Sequence, residues 1–442
     1  MRFFFKRMPW ALGYAVLLVC FSHKSLAQTP TNLTQIVPNN ASTNANSHLR
    51  LQYLLEATAA SYPSLMAART EARANEQDLE ATQRQRWPTF SSSVESLTGN
   101  TRSYPSRSVQ VEQTVWDAGR VSARISEVKA SVDQGYVKTI LQRQELYLQV
   151  VAGWQNLLAA SSRAQVADQT IKRLRGFQAQ MQRRVEAEAS PRIDLELANA
   201  RLLQTEVELE TAHSSLQVAL TRLEQLSGEQ NLAMFLPDLP GMPSLQETQG
   251  LAQKMSQIDW HRVAAEHPSV MRAQFEAKQA KSRLKVKQSE GWPQIYVRAF
   301  QPLGTLPTSS DTGMTTFVGL RYTPGAGLSN IIEAQALETR ISSAELMVLT
   351  AHRDVQQTLL SDQEEWTNTR KRIAALEKSV KGSDLVLASY QRQFQAGRKT
   401  WQDLLNAVRE LAQNQYALVD AQAAMMGAMY RLQVRMGQDP QY

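Results

Sequence analysis

No proline occurs from 106 to 190, and none from 325 to 439. Proline interrupts a helix because it has no backbone N–H and its ring collides with the preceding turn. Both stretches can therefore be unbroken helices. Ala, Gln, Leu, Glu and Arg dominate them, all good helix formers. A helix over about 120–186 would run about 100 Å at 1.5 Å per residue, and its counterpart over about 328–396 is similar. Rods of this length have no place in a compact globule. They imply a coiled coil or an extended helical assembly.

The rods belong to a duplicated chain. Leu195, Ala198, Leu202, Thr205, Leu209, Ala212, Leu216, Ala219, Leu223 and Leu226 step by three and four, which is a heptad seam. The pattern returns 209 residues later as Leu404, Ala407, Leu411, Asn414, Leu418, Ala421, Met425, Ala428, Leu432 and Arg435. Gly228 and Gly437 follow the two seams as helix stops. Tyr62-Pro63-Ser64 matches His267-Pro268-Ser269, and Trp87-Pro88 matches Trp292-Pro293. Each half has one order: a moderate helix (about 49–86 and 261–290), two strands, a very long helix and a second moderate helix. The two moderate helices of the first half together are slightly longer than the long one, so stacked end to end they would flank it over its full span and cover its apolar face. The expected organisation is a leader (1–27), a flexible segment (28–47), a first repeat (48–230), a linker (231–254), a second repeat (255–437) and a tail (438–442).

The strands are period-2 segments. In the first half they cover about 88–98 and 107–117, with a turn at Asn100 to Ser106. Val109, Val111 and Val115 alternate with Gln110, Glu112, Thr114 and Trp116. In the second half Ile295, Val297 and Ala299 alternate with Tyr296, Arg298 and Phe300, and Val318 and Leu320 with Gly319 and Arg321, across a loop at Gly304 to Gly313. Four strands in two distant hairpins leave open edges, which oligomerisation would remove. Trp87 and Trp292 sit where helix meets strand, and Trp116 and Tyr322 where strand returns to helix. All four fall at one end of such a barrel, as a membrane-interface girdle.

Residues 1–27 read as a secretory signal: Arg2, Lys6 and Arg7, an apolar stretch from Ala11 to Phe21, and Ser25-Leu26-Ala27 before the cut. The single Cys, Cys20, lies in this leader, preceded by Leu18-Val19 rather than the small residue that a lipoprotein signal needs. The exported chain would have no thiol for disulfides, zinc or catalysis. The leader also holds four basic residues and no acid, so the net charge of +7 falls to about +3 without it, which makes no case for nucleic acid. No later segment approaches a helical membrane span, while a β-barrel leaves no hydropathy peak. No His-rich or Gly-rich arrangement suits a metal, a cofactor or a phosphate, so the chain reads as no enzyme.

This chain resembles the TolC-like outer membrane factors. The resemblance rests on the duplicated helix–hairpin–helix order, on the two Trp-Pro pairs, and on Phe394-Gln395-Ala396-Gly397-Arg398-Lys399-Thr400-Trp401-Gln402-Asp403-Leu404-Leu405-Asn406-Ala407. In that family a Gly-x-x-x-x-x-Asp-x-Leu stretch marks the turn at the periplasmic tip. The resemblance implies a fold that is mainly α with β: a long α-helical coiled-coil barrel plus a trimeric twelve-stranded transmembrane β-barrel, four strands per protomer. It implies a homotrimeric channel-tunnel in the outer membrane, extending into the periplasm. Its partners would be outer membrane lipids, a periplasmic adaptor (membrane fusion) protein and an inner-membrane ABC or proton-driven transporter. Such a channel conducts passively, and the absent lipid signal leans towards the type I protein secretion branch.

The family's paired acidic gate residues fall on Asp403 and Asn406, so one acid is kept and one is a neutral amide. In the first half Asp194 takes the equivalent place, Pro191 replaces Thr400, and Glu188 replaces Gly397. That turn has lost its Gly, which makes the two tips unequal. Val185, Glu188, Asp194, Phe394 and Gly397 are the expected adaptor-contact surface. The alternative is a periplasmic coiled-coil scaffold or adaptor with two surface hairpins and no pore.

Overall fold

The structure, a computed structural model, describes residues 51–98, 103–234, 239–242, 245, 248–255, 257–303, 313–323, 327 and 329–438. The leader, the segment 28–47, most of the tail, Pro237 and Pro243 of the linker, and nearly all of the loop at 304–313 lie outside the described residues.

The first half runs α1 (Leu51–Ser61), α2 (Pro63–Arg84), β1 (Thr89–Thr98), β2 (Ser103–Trp116), α3 (Arg120–Glu186) and α4 (Arg192–Ser227). Two short helices, α5 (Gln249–Met255) and α6 (Trp260–Ala265), lead into the second half. That half runs α7 (Pro268–Glu290), β3 (Gln294–Leu303), β4 (Thr315–Arg321), α8 (Ser329–Gln395) and α9 (Trp401–Arg435). Both long helices have 67 residues. The moderate helices expected over 49–86 and 261–290 are each broken, at Tyr62-Pro63 and at His267-Pro268. Proline gives no N–H to the turn before it and drives the preceding residue to extended backbone. Tyr62 accordingly has ψ 124° and His267 ψ 141°.

The strands form one antiparallel sheet in the order β1-β2-β3-β4. β2 starts before the expected 107, and Pro105 lies within it, opposite Ser96. β3 pairs with β2 only from Arg107 onward. Pro105 therefore sits where β2 is itself an edge, the position a strand tolerates for proline.

The helices form a layer of four rods. α3 lies along α2 and α7 in its N-terminal half and along α4 and α9 in its C-terminal half. α8 lies along α7 and then α9. The lateral order is thus α2/α4, α3, α7/α9, α8. Trp154, Leu157, Leu158, Leu223, Met425, Met429 and Leu432 fill the middle of the layer, each burying about 1.5–3 kcal/mol of apolar side chain. On α3, 21 residues are buried; on α8, of equal length, only 8 are. α3 has rods on both sides and α8 has one side open. Ile331, Ile332, Leu346, Met347 and Leu385 of α8 and Ile193, Leu203, Val207 and Val218 of α4 stand exposed on the two outer rods.

The shorter helices are spliced end to end beside the long ones. At the first splice Ser61 Oγ donates to Ser227 O at 2.8 Å. At the second, Gln144 Nε2 of α3 donates to Val434 O (3.0 Å) and Arg435 O (3.3 Å), carbonyls of the last turn of α9, where the i to i−4 ladder runs out and Val434 O accepts from Gly437 N–H at 3.0 Å instead. His267 caps α7 there, its Nδ1 accepting from Ser269 N–H at 3.1 Å. Burial, with the nearby Arg435 charge, pushes the His267 pKa down to about 4. Glu145, Arg272, Glu276, Asp354 and Arg435 line the same groove. The folded chain holds the neutral ring, while the unfolded chain takes up a proton near pH 6.5. Stability therefore falls as the pH drops from 6.5 towards 4, by on the order of 3 kcal/mol. Thermal melts over this range should move down steadily in the wild type and less in His267→Asn, which keeps a capping acceptor; parallel melts would refute it.

Candidate functional site

Two regions have unusual chemistry: the helical tip remote from the sheet, and the sheet itself. The tip consists of the turns from α3 to α4 and from α8 to α9. In the first, Glu188 N–H donates to Val185 O and Ala189 N–H to Arg184 O; in the second, Gly397 N–H donates to Phe394 O and Arg398 N–H to Gln393 O. The two backbones are equivalent. Gly397 has φ +71° and Glu188 has φ +54°. The loss of glycine at 188 thus leaves the turn in place, at a backbone cost of about 1–2 kcal/mol. The reciprocal bonds that close the helix end outweigh that cost. The tips differ instead in their caps. Thr400 and Asp403 form a capping box, with Asp403 N–H donating to Thr400 Oγ1 at 3.1 Å and Thr400 N–H to Asp403 Oδ2 at 3.2 Å. Pro191 at the matching position has no side-chain acceptor to offer.

The Thr400 hydroxyl, then its N–H, holds the Asp403 carboxyl below its ordinary range. Asp403 remains part exposed, and Asn406 lies one turn further on the same helix face. Val185 and Asp194 are half-buried, and Glu188 and Gly397 are exposed. Phe394 is not a surface residue: it is 7% exposed and packs inside the tip. Its ring lies 5.3 Å from that of Trp401, with the Arg184 guanidinium 5.2 Å over it. An aromatic at the last turn of a heptad-bearing helix faces its partner helix rather than water.

Trp401 joins the two turns. Its indole Nε1 donates to Asp194 O at 2.8 Å, and its ring meets Phe177 edge-on at 6.2 Å. Leu174, Met181, Leu404, Leu405 and Val408 complete this cluster. Sequence reasoning gave Trp401 no role, although a tryptophan directly after a Thr cap is a usable signal.

The sheet has one mainly apolar face, which also carries Arg107, Gln113 and Gln301, and one mainly polar face, which also carries Phe300 and Phe317. Cross-strand partners put Phe90, Val94, Val109, Val111, Ile295, Val297, Val318 and Leu320 on one side. Ser91, Ser93, Gln110, Glu112, Tyr296, Arg298 and Arg321 share the other. A bulge between Thr114 and Trp116 puts Trp116 opposite Ile295. Simple alternation groups Trp116 with Glu112; the extra residue turns it onto the apolar face instead. Trp87, Trp116, Trp292 and Tyr322 all lie at the helix-proximal end of the sheet and are exposed, Trp87 most at 74%.

His261 and His352 stack at 5.5 Å. Among the described residues no group of three or more His, Cys, Asp or Glu is placed to hold a metal. No described helix is long and apolar enough to cross a membrane.

A layer of spliced rods joined to an open four-stranded sheet defines the class of fold. Solved structures share this architecture. CusC, studied for conformational changes accompanying folding and transmembrane channel formation, matches with a TM-score of 0.78 at 14% identity, over 90% of this chain and 96% of that chain. The outer membrane protein VceC of Vibrio cholerae matches with 0.73 at 14% identity, over 88% and 96%. The open-state MtrE outer membrane channel of Neisseria gonorrhoeae matches with 0.72 at 16% identity, over 89% and 91%. No protein-family model and no curated protein matches the chain. The chain has the TolC-like fold, mainly α with a four-stranded sheet and an internal duplication.

Proposed function

We propose that this chain is one of three protomers of an outer membrane channel-tunnel. It would conduct a secreted protein or small molecules passively from an inner-membrane pump and a periplasmic adaptor to the outside. Residues 1–27 would direct its export. One observation carries the reading: sheet and helical layer are open on matching sides. β1 and β4 have free ladders, and α4 and α8 carry exposed apolar residues. Sister copies satisfy both at once, in a closed ring whose apolar sheet face meets lipid and whose polar face lines the bore. The four aromatics at the end of the sheet then form the interface girdle.

In this assembly three Asp403 carboxylates, with Asn406 beside them, ring the tip bore. Val185, Glu188, Asp194 and Gly397 offer the surface for the adaptor, over a core that contains Phe394. Asp403→Ala should alter conductance and its sensitivity to divalent cations; unchanged conductance and block would remove Asp403 from the gate.

The reading itself is tested by purifying the full chain from the outer membrane fraction. A heat-resistant trimer with single-channel conductance is expected. Leu203→Glu combined with Leu385→Glu should abolish the trimer, since it places charges on both open rods. A stable monomer without conductance would favour the pore-less periplasmic scaffold.

A further inference from the structure

The polar face of the sheet carries a built cluster that gating at the tip does not use. Glu112 of β2, Arg298 of β3 and Arg321 of β4 converge across three strands. Arg298 Nε and Nη2 donate to Glu112 Oε2 at 3.0 and 2.7 Å. Arg321 Nη2 donates to Glu112 Oε1 and Oε2 at 3.0 and 3.2 Å. Both guanidiniums lie over the Tyr296 ring, at 5.1 and 4.7 Å from its centre. Gly319 faces Tyr296 across the ladder, and a Cβ there would run into the ring. The glycine is what lets the ring lie across the strands beneath both cations.

One carboxylate shared by two guanidiniums leaves a net positive charge. Each guanidinium has five N–H donors in a planar fork, and Glu112 takes only some of them. Arg321 stays 45% exposed and Arg298 30%. By strand register the other charged residue of this face is Glu95, six residues along β1 from Thr89, the partner of Glu112, so the cluster keeps its own excess of positive charge. Cations held rigidly on an aromatic platform, with donors to spare, fit a planar or tetrahedral oxyanion.

We propose that Arg298 and Arg321, positioned by Glu112 and Tyr296, form an anion-binding site for carboxylate or phosphate groups inside the bore. Three copies make a cationic ring near the base of the barrel, opposite in sign to the Asp403 ring at the tip. This inference rests on the reading above, in which the polar face lines the bore.

The test is single-channel recording of the purified full-length protein in a KCl gradient, with inorganic tripolyphosphate as the probe. In the wild type, tripolyphosphate reduces the current. In Arg298→Gln/Arg321→Gln the block weakens about tenfold, which is equivalent to about 1.4 kcal/mol and is the scale of a single charge-assisted hydrogen bond. The chloride-to-potassium permeability ratio falls about twofold in this variant and rises about twofold in Glu112→Gln, following the charge of the bore. Arg321→Gln alone keeps the Arg298–Glu112 pair, and shows the same direction if the double variant fails to assemble. Conducting channels with identical reversal potentials and block in all variants would overturn the inference and leave the duct reading standing. A wild type without conductance would overturn both.

Discussion

Asp362→Ala is expected to destabilise the centre of the helical layer by about 3–5 kcal/mol, the cost of breaking a buried ion pair from one side. Asp362 sits in the middle of α8 and is 7% exposed. It accepts from Arg431 Nε at 3.1 Å. Its Oδ2 lies 3.0 Å from Arg435 Nη1, close enough for strong attraction though not aligned as a hydrogen bond. Without Asp362, Arg431 keeps Glu365 at 2.6 Å, but Arg435 loses the one carboxylate within ion-pair distance among the described residues. Glu365→Ala should cost no more than about 1 kcal/mol, because Glu365 is half exposed and Arg431 retains Asp362. Asp362→Leu combined with Arg435→Met should recover most of the loss, since apolar replacement removes both desolvated charges. Thermal melts by circular dichroism separate these cases. Equal melting temperatures for Asp362→Ala and Glu365→Ala would show that burial does not set the cost.

Trp401→Ala is the second large effect, at about 3–5 kcal/mol for a truncated core indole. The loss should be local. Trp401 is the common neighbour of Phe177 from α3, Phe394 from α8 and the Asp194 carbonyl from α4. Hydrogen exchange should therefore accelerate at both turns together, around 183–194 and 392–403, with the sheet unchanged. Trp401→Phe keeps most of the ring area and forfeits the indole bond, for about 1 kcal/mol. On the duct reading, Trp401→Ala should also change the single-channel conductance, because the tip then lines one end of the bore. Acceleration at the second turn alone would mean that the indole does not couple them.

Several features are legible because they are local. A helix of 67 residues needs only the absence of proline and a steady supply of helix formers, and α3 occupies the expected 120–186. Alternation exposes both hairpins, and the duplication follows from seams 209 residues apart. The departures also have local causes. The Tyr62-Pro63 and His267-Pro268 breaks are visible as dipeptides, yet the strong helix propensity on either side masks them. The Glu188 turn points the other way. There a missing glycine suggests a changed tip, while the closing backbone bonds keep the turn unchanged.

The amino-acid order alone determined which segments are rods, which are strands and that the pattern occurs twice, because periodicity and propensity act within a few residues of themselves. Only the tertiary structure decided who meets whom. Glu112 finds Arg321 across 209 residues of chain, Asp362 finds Arg435, Phe394 turns inward, and a single bulge moves Trp116 to the other face. Such pairings depend on strand register and on the rotation of each helix about its own axis. Both are set by the packing of the whole layer, where one residue of slip exchanges every inward side chain for an outward one.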